Sequence, residues 1–208
     1  MVIKFKSTVV DPPALLYMGV DKNENEHLIR WGWPEDVWFH VDKLSSAHVY
    51  VRLRKGQTID DMPQSLIDDC AQLVKEHSIQ GCKLNNVDVV YTPWENLKKT
   101  GEMDVGQVGF KDDSKVRKVH VAKKLREIIN RLHKTEVHED IDYRAEREER
   151  DAKERRLAKQ RQREMKEREL KELEAKERER KIRNYDGMFD PNKMQSNEDA
   201  GNLSDDFM

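Results

Sequence analysis

His40 and His48 are the residues of this chain best suited to chemistry, and their neighbours decide which chemistry that is. They sit in two short runs, Val37–Val41 and His48–Leu53, with Asp36, Trp38 and Asp42 along the first and Tyr50 and Arg52 along the second. A metal centre would need further ligands at close spacing. Cys70 and Cys82 lie far along the chain, and no Cys-x-x-Cys or His-x-x-x-His spacing exists, so no metal and no cofactor is expected. Ser45 or Ser46 with His48 and Asp42 would supply the residue types of a hydrolase, but nothing resembles the strained turn that presents a nucleophilic serine. No catalytic residue is expected, and the chain reads as a non-enzyme. A binding surface is another reading of the same residues. Trp38, His40, Tyr50 and Arg52 can stack on bases, Asp36 and His48 complete that face, and Lys98 and Lys99 can hold phosphates beside it. The competing reading makes Trp38 and Phe39 core residues on opposite sides of a covered sheet, the histidines hydrogen-bonding residues, and the lysines a solvated loop.

Period-two spacing puts these residues on strands. Trp38 and His40 share one face of the first run, continued by Asp36 and Asp42. His48, Tyr50 and Arg52 share one face of the second, with Val49, Val51 and Leu53 on the other. A face with two histidines, two aromatics and an arginine is expected to be a binding surface. Around this pair, residues 2–10 and Ala14–Val20 read as a hairpin turned by Asp11-Pro12-Pro13. Glu24–Trp31 reads as a short helix stopped at Gly32. Leu66, Ile67, Cys70, Leu73 and Val74 give the apolar stripe of a packing helix that begins near Pro63. Val87–Thr92 is a further strand, and Gln107–Phe110 with Val116–Val121 reads as a closing hairpin. The expected fold is α+β, a small mainly antiparallel sheet packed by helices, over residues 1–121.

From about Val121 a helix is expected to run on without a stop through residue 183, its first part facing the domain through Leu125, Ile128, Ile129 and Leu132. Beyond Tyr143 the apolar face disappears. Leu157, Met165, Leu170, Leu173 and Ile182 keep no heptad, which argues against a sustained dimeric coiled coil and leaves coiled coil or single α-helix as the two descriptions. Nine acid-to-base pairs at i,i+4, from Glu146–Arg150 to Glu179–Arg183, support the helix at about 0.3–0.5 kcal/mol each. Residues 184–208, acidic and rich in Asn, Asp and Ser, are expected to be a disordered tail.

Charge and composition set limits. The 208 residues are 38% charged and 36% hydrophobic, too polar to form one packed globule throughout. The overall charge of −2 conceals a division: residues 144–183 hold 17 Lys/Arg against 12 Asp/Glu, and residues 184–208 hold 1 against 6. A first segment with nearly balanced charge can bind nucleic acid only through a local patch. Two cysteines make no disulfide framework, and Lys4, Lys6, Asp11 and Pro12 interrupt any signal-peptide pattern, so a reduced, cytoplasmic setting is expected. No stretch approaches the ~18 apolar residues of a membrane helix; peripheral membrane association stays open.

An ordered set of short motifs resembles a known family. Gly19-Val20-Asp21 with Asn25, Asp36-x-Trp38-x-His40, Ser46-Ala47-His48-Val49, Val90-Tyr91-Thr92, Lys98-Lys99 and Gly101…Gly106-x-Val108 occur in the order of the NFACT-R domain. That domain is the RNA-binding part of ribosome quality-control proteins related to fibronectin-binding protein A. The resemblance covers about residues 1–121. It implies nucleic-acid binding, RNA (rRNA or tRNA) on or near the ribosome, and no enzymatic activity. It marks Asp36, Trp38, His40 and His48 as pattern residues; in a second reading these hold the sheet in shape while Arg52, Lys98 and Lys99 contact phosphates. Multi-domain members show Pro-Gly-Ser-His where this chain has Ser45–His48, so the loop there is expected to differ. The basic helix 144–183 is open to three readings: contact with RNA phosphates, a protein partner, or a spacer. Two alternatives stand beside the RNA adaptor: a protein-interaction scaffold, and a DNA-binding receptor-like protein at a membrane surface.

Overall fold

The computed structural model describes residues 1–184; the expectation for an acidic, disordered tail lies outside them. A first compact unit spans Met1–Arg150, and a second begins at Asp151. The first is built on seven strands in the order β8-β5-β3-β4-β2-β1-β9, with antiparallel pairing throughout. The strands are β1 (Val2–Ser7), β2 (Ala14–Gly19), β3 (Asp36–Val41), β4 (Val49–Arg52), β5 (Val87–Pro93), β8 (Arg117–Val121) and β9 (Val137–Glu139). A two-stranded piece, β6 (Leu97–Lys98) with β7 (Gly109–Phe110), lies apart from that sheet. The α+β fold expected from the sequence is the fold observed.

One face of the sheet is covered by α2 (Gln64–Glu76) and α3 (Arg126–His133). The α2 stripe of Leu66, Ile67, Cys70, Leu73 and Val74 meets Phe5, Leu16, Val37, Phe39, Val49, Val51 and Val89, and Leu132 of α3 closes this core. Pro63 caps α2 rather than sitting inside it. Both cysteines are free thiols, Cys70 in the core and Cys82 half-buried.

The other face is buried as well. Tyr17, Trp38, Tyr50 and Val90 form a second core with Leu28 of α1 (Lys22–Trp31), Leu97, Trp94, Val108 and Phe110. Asp21 starts α1 two residues earlier than expected, its carboxylate accepting from the Asn23 and Glu24 amides at 2.9 and 2.8 Å. Gly32 stops the helix at a point where a β-carbon would overlap the Trp94 indole. Glycine is therefore required by close approach, and the Trp94 Nε1–H is free to reach the Ile29 carbonyl at 2.9 Å.

Two expected elements are corrected. The hairpin of Gln107–Phe110 with Val116–Val121 does not form: β7 pairs with β6, and β8 pairs with β5 at the sheet edge. Asn96 explains the rerouting. Its amide donates to Thr92 Oγ1 and the Asp112 carbonyl, and its oxygen accepts from the Asp112 amide. Asp112 in turn caps a 3-10 turn over Asp113–Lys115 that carries the chain over to the edge. The uninterrupted helix from Val121 is also replaced, by β8's end, α3, β9 and then α4 (Tyr143–Arg183). Thr135 breaks the run: its hydroxyl donates to Leu132 O at 2.7 Å and accepts from the Lys6 amide at 2.9 Å, and this turns residues 137–139 onto β1.

α4 is 41 residues long, about 60 Å at 1.5 Å per residue. Leu157, Met165, Leu170, Leu173 and Ile182 are all exposed on it. Glu167–Lys171 and Glu172–Lys176 close at 2.6 and 2.8 Å, as the i,i+4 pattern predicts. Among the described residues no helix is long and apolar enough to cross a membrane.

Candidate nucleic-acid interface

The strand pairing brings the expected residues together in register. Trp38 pairs with Tyr50 and Asp36 with Arg52 across β3 and β4. Their accessibility is what sequence periodicity does not reveal. Asp36 and Tyr50 are 0% exposed, Trp38 2% and His48 4%. Most of its polar atoms answer one another across neighbouring strands, and the buried Tyr50 hydroxyl has no hydrogen-bond partner. The Asp36 carboxylate accepts from Tyr17 OH at 2.5 Å, from the Trp33 amide at 2.7 Å, and from Arg52 Nε and Nη2 at 2.9 and 3.2 Å. The Arg52 guanidinium lies over the Trp33 ring, 3.7 Å from its centroid. The Tyr17 ring it also borders stacks on Tyr50 at 5.2 Å. Burial pushes Tyr17 and Tyr50 well above the ordinary phenol value, so both stay protonated.

The two histidines are a coupled pair. Trp38 Nε1–H donates to His48 Nδ1 at 2.9 Å, which fixes His48 as the tautomer protonated on Nε2. Burial, reinforced by His40, pushes the His48 imidazole down to about 3. His40 stacks flat on Trp38, 5.4 Å between centroids and 6° between planes, and meets His48 edge-on at 5.0 Å. Burial lowers His40 too, against the Val41 carbonyl and Asp42, which raise it. Its Nδ1 lies 2.7 Å from the Val41 carbonyl, which can only accept. The neutral ring thus carries its proton on Nδ1, leaving Nε2 as an acceptor.

His40 lines a shallow depression of about 230 Å³ together with Trp38, Lys43, His48, Gln107 and Phe110. Lys43 stands exposed at its rim in the left-handed region, φ 61°. Asp42, also on the rim, is neutralised by Lys118 at 2.8 Å. Lys98 is exposed on β6 opposite Gly109, between Val108 and Phe110 of the lining. Lys99 is engaged differently: its ammonium donates to Glu26, the Asp104 carbonyl and the Gln107 carbonyl at 2.6, 2.6 and 2.9 Å. These three bonds use all its donors. Glu26 also takes the Gly106 amide at 2.6 Å, so the two residues tie down the loop that walls the depression. Gly106 holds φ 85°, a conformation suited to glycine. Among the described residues no cluster of three or more His, Cys, Asp or Glu could hold a metal.

A second cation–aromatic group escaped the sequence reading. The first turns of α4 place Arg144 over Trp31, Arg147 over Trp94 and Arg150 over Trp33, at 5.8, 5.3 and 5.6 Å. Arg147 also donates to the Gly32 carbonyl, and Arg150 pairs with Glu35. The arginine spacing of three was a visible signal, but its target in the Trp31–Trp33 segment was not.

Comparisons with known proteins agree with this architecture. The family described as the NFACT protein RNA binding domain matches residues 1–112. Similar full-length chains include coiled-coil domain-containing protein 25 of Danio rerio, 61% identical over all of both chains, and that of Mus musculus, 54% identical over all of both. Protein JLP2 of Saccharomyces cerevisiae is 47% identical over 135 residues, 64% of this chain and 65% of that one. Among solved structures, the C-terminal part of the fibronectin/fibrinogen-binding protein from Streptococcus suis aligns with a TM-score of 0.51 at 16% identity. That alignment spans 64% of this chain and 48% of the other, a likeness of fold alone.

Proposed function

The chain belongs to the family of NFACT protein RNA binding domains, and from that premise we propose that it is a non-enzymatic RNA-binding adaptor whose first unit takes single-stranded RNA at the His40 depression. The observation that carries this reading is the His40 ring: neutral, held flat on Trp38, with Nε2 left as an acceptor at a concave, solvent-facing site. An exocyclic amine of an unstacked base is the complementary donor, and RNA offers such bases in loops and ends. Phe110 supplies an aromatic edge, and Lys43 and Lys98 supply phosphate contacts on either side. In this proposal Asp36, Trp38, His48, Tyr50 and Arg52 build the floor, and Lys99 fixes the loop wall; contact passes to His40, Lys43, Lys98, Gln107 and Phe110.

The test pairs two substitutions that leave the fold in place. His40→Phe keeps an aromatic ring on Trp38 and removes the Nε2 acceptor together with the Nδ1–H bond to the Val41 carbonyl; with an unchanged urea midpoint as the control for folding, it should weaken single-stranded RNA binding about fivefold, the share of one hydrogen bond of ~1 kcal/mol. Lys43→Asn, which tolerates the left-handed backbone, should lower the salt dependence by ~0.7 in log–log slope. Unchanged RNA affinity in both would remove the depression from the interface. The finer part of the proposal is action at the ribosome, on rRNA or tRNA, and what supports it is the family's tie to ribosome quality control. Cosedimentation of the full chain with ribosomes at moderate salt tests it, and absence of the chain from every ribosomal fraction would refute it.

A further inference from the structure

Within α4, the stretch Arg155–Arg163 reads RRLAKQRQR: five basic residues and no acidic one. At about 100° per residue, Arg155, Arg156, Lys159, Arg163 and Lys166 fall within about 100° of one another around the helix. They extend over about 16 Å of its axis. No acidic residue shares that arc between Arg155 and Lys166. All five are exposed, and none makes an ion pair with a described residue. Their spacing works against the helix they stand on, since Arg155, Lys159 and Arg163 form an i, i+4, i+8 ladder of like charge. The following turns are arranged in the opposite way, with Glu167–Lys171 and Glu172–Lys176 closed at 2.6 and 2.8 Å. The helix thus neutralises itself from Glu167 onward and leaves a self-repelling cationic stripe in the segment before it.

We propose that Arg155, Arg156, Lys159, Arg163 and Lys166 are a second RNA-binding site, which takes the phosphodiester backbone of a folded, double-stranded segment without reading its bases. The stripe offers charge and hydrogen-bond donors only. No aromatic side chain lies in Arg155–Lys166 to stack on a base, and a row of cations along one helix face suits a row of phosphates. The inference extends the RNA-binding reading of the first unit but concerns different residues and a different part of the ligand.

The experiment is a salt titration of the full chain on a hairpin RNA that carries both a duplex stem and a single-stranded loop. Five duplex phosphate contacts contribute a log–log slope of about −4.5, so raising salt from 50 to 200 mM should weaken the stripe's share about 500-fold. Lys159→Gln with Arg163→Gln should bring that share to about 40-fold, at unchanged helicity by circular dichroism. Lys171→Gln with Lys176→Gln removes the same net charge from self-paired positions and should leave the 500-fold share intact. Equal effects of the two double variants would overturn the site and leave only general charge attraction. Tighter binding of the wild-type chain to phosphatidylserine vesicles than to the hairpin, lost in the first double variant, would overturn the assignment to RNA in favour of a lipid surface. If His40→Phe weakens loop binding while the stripe variant leaves the slope unchanged, this proposal fails and the first-unit reading stands; the reverse pattern separates them the other way.

Discussion

Removing Arg52 tests whether the polar face of β3 and β4 is interior structure or exposed binding surface. On the structural account, Arg52→Ala strips the cation from a carboxylate that is 0% exposed and leaves Asp36 with only Tyr17 OH and the Trp33 amide. Breaking a buried pair from one side costs about 3–5 kcal/mol, because the remaining charge stays buried. With a urea m-value of about 2 kcal/mol/M, the unfolding midpoint should fall by about 1.5–2.5 M, and the thermal midpoint by roughly 6–20 °C. Adding Asp36→Asn to Arg52→Ala should recover part of that loss. Asparagine is neutral, and its oxygen still accepts from Tyr17 and Trp33. Lys98→Ala, exposed on β6, should stay within about 0.5 kcal/mol of wild type. The measurement is urea denaturation followed by Trp fluorescence, with RNA affinity measured in native buffer. An Arg52→Ala chain of wild-type stability that no longer binds RNA would refute the reasoning, and so would a double variant less stable than the single one.

Acid should destabilise the first unit through His48. The unfolded histidine takes a proton near pH 6.5 and the native one only near 3, so the unfolded state binds more protons in between. This contribution is complete above pH 6.5 and is lost progressively as pH falls towards 3, about 2 kcal/mol of it by pH 5. Urea midpoints at pH 7 and pH 5 should therefore differ less in His48→Gln than in wild type. Lys99→Gln should release the 100–107 loop, seen as faster hydrogen exchange at the Gly106 amide, with at most ~3 kcal/mol of stability lost. A chain ending at residue 121 loses Ile129 and Leu132, 4% and 0% exposed. It should bind a hydrophobic dye and unfold non-cooperatively, whereas residues 1–150 should unfold in one transition.

The residues that define the sheet were legible because strand periodicity is local. The faces of β3 and β4 and the α2 stripe follow from residue types a few positions apart. Burial of the second face was not legible, because it depends on what arrives from elsewhere in the chain. α1 and the 94–110 segment cover Trp38 and Tyr50, and only Gly32's tolerance of Trp94 hints at the approach. Charge pairing hid the same fact, since Asp36 and Arg52 look solvated until they are seen to satisfy each other. The break in the expected long helix turned on Thr135 meeting Lys6 across 129 positions of sequence, and Asn96 rerouted the expected hairpin in the same non-local way. Lys98 and Lys99 are adjacent and alike in sequence, yet one is exposed and the other has all its donors engaged inside a loop.

The most direct test of RNA binding at the His40 depression is ultraviolet crosslinking of the full chain to single-stranded RNA, with crosslinked peptides located by mass spectrometry. The account predicts adducts at His40, Lys43, Gln107 or Phe110, and none at Trp38 or Tyr50, whose rings are enclosed. Adducts at Trp38 or Tyr50 with the depression unmarked, or no RNA bound at low salt, would contradict it.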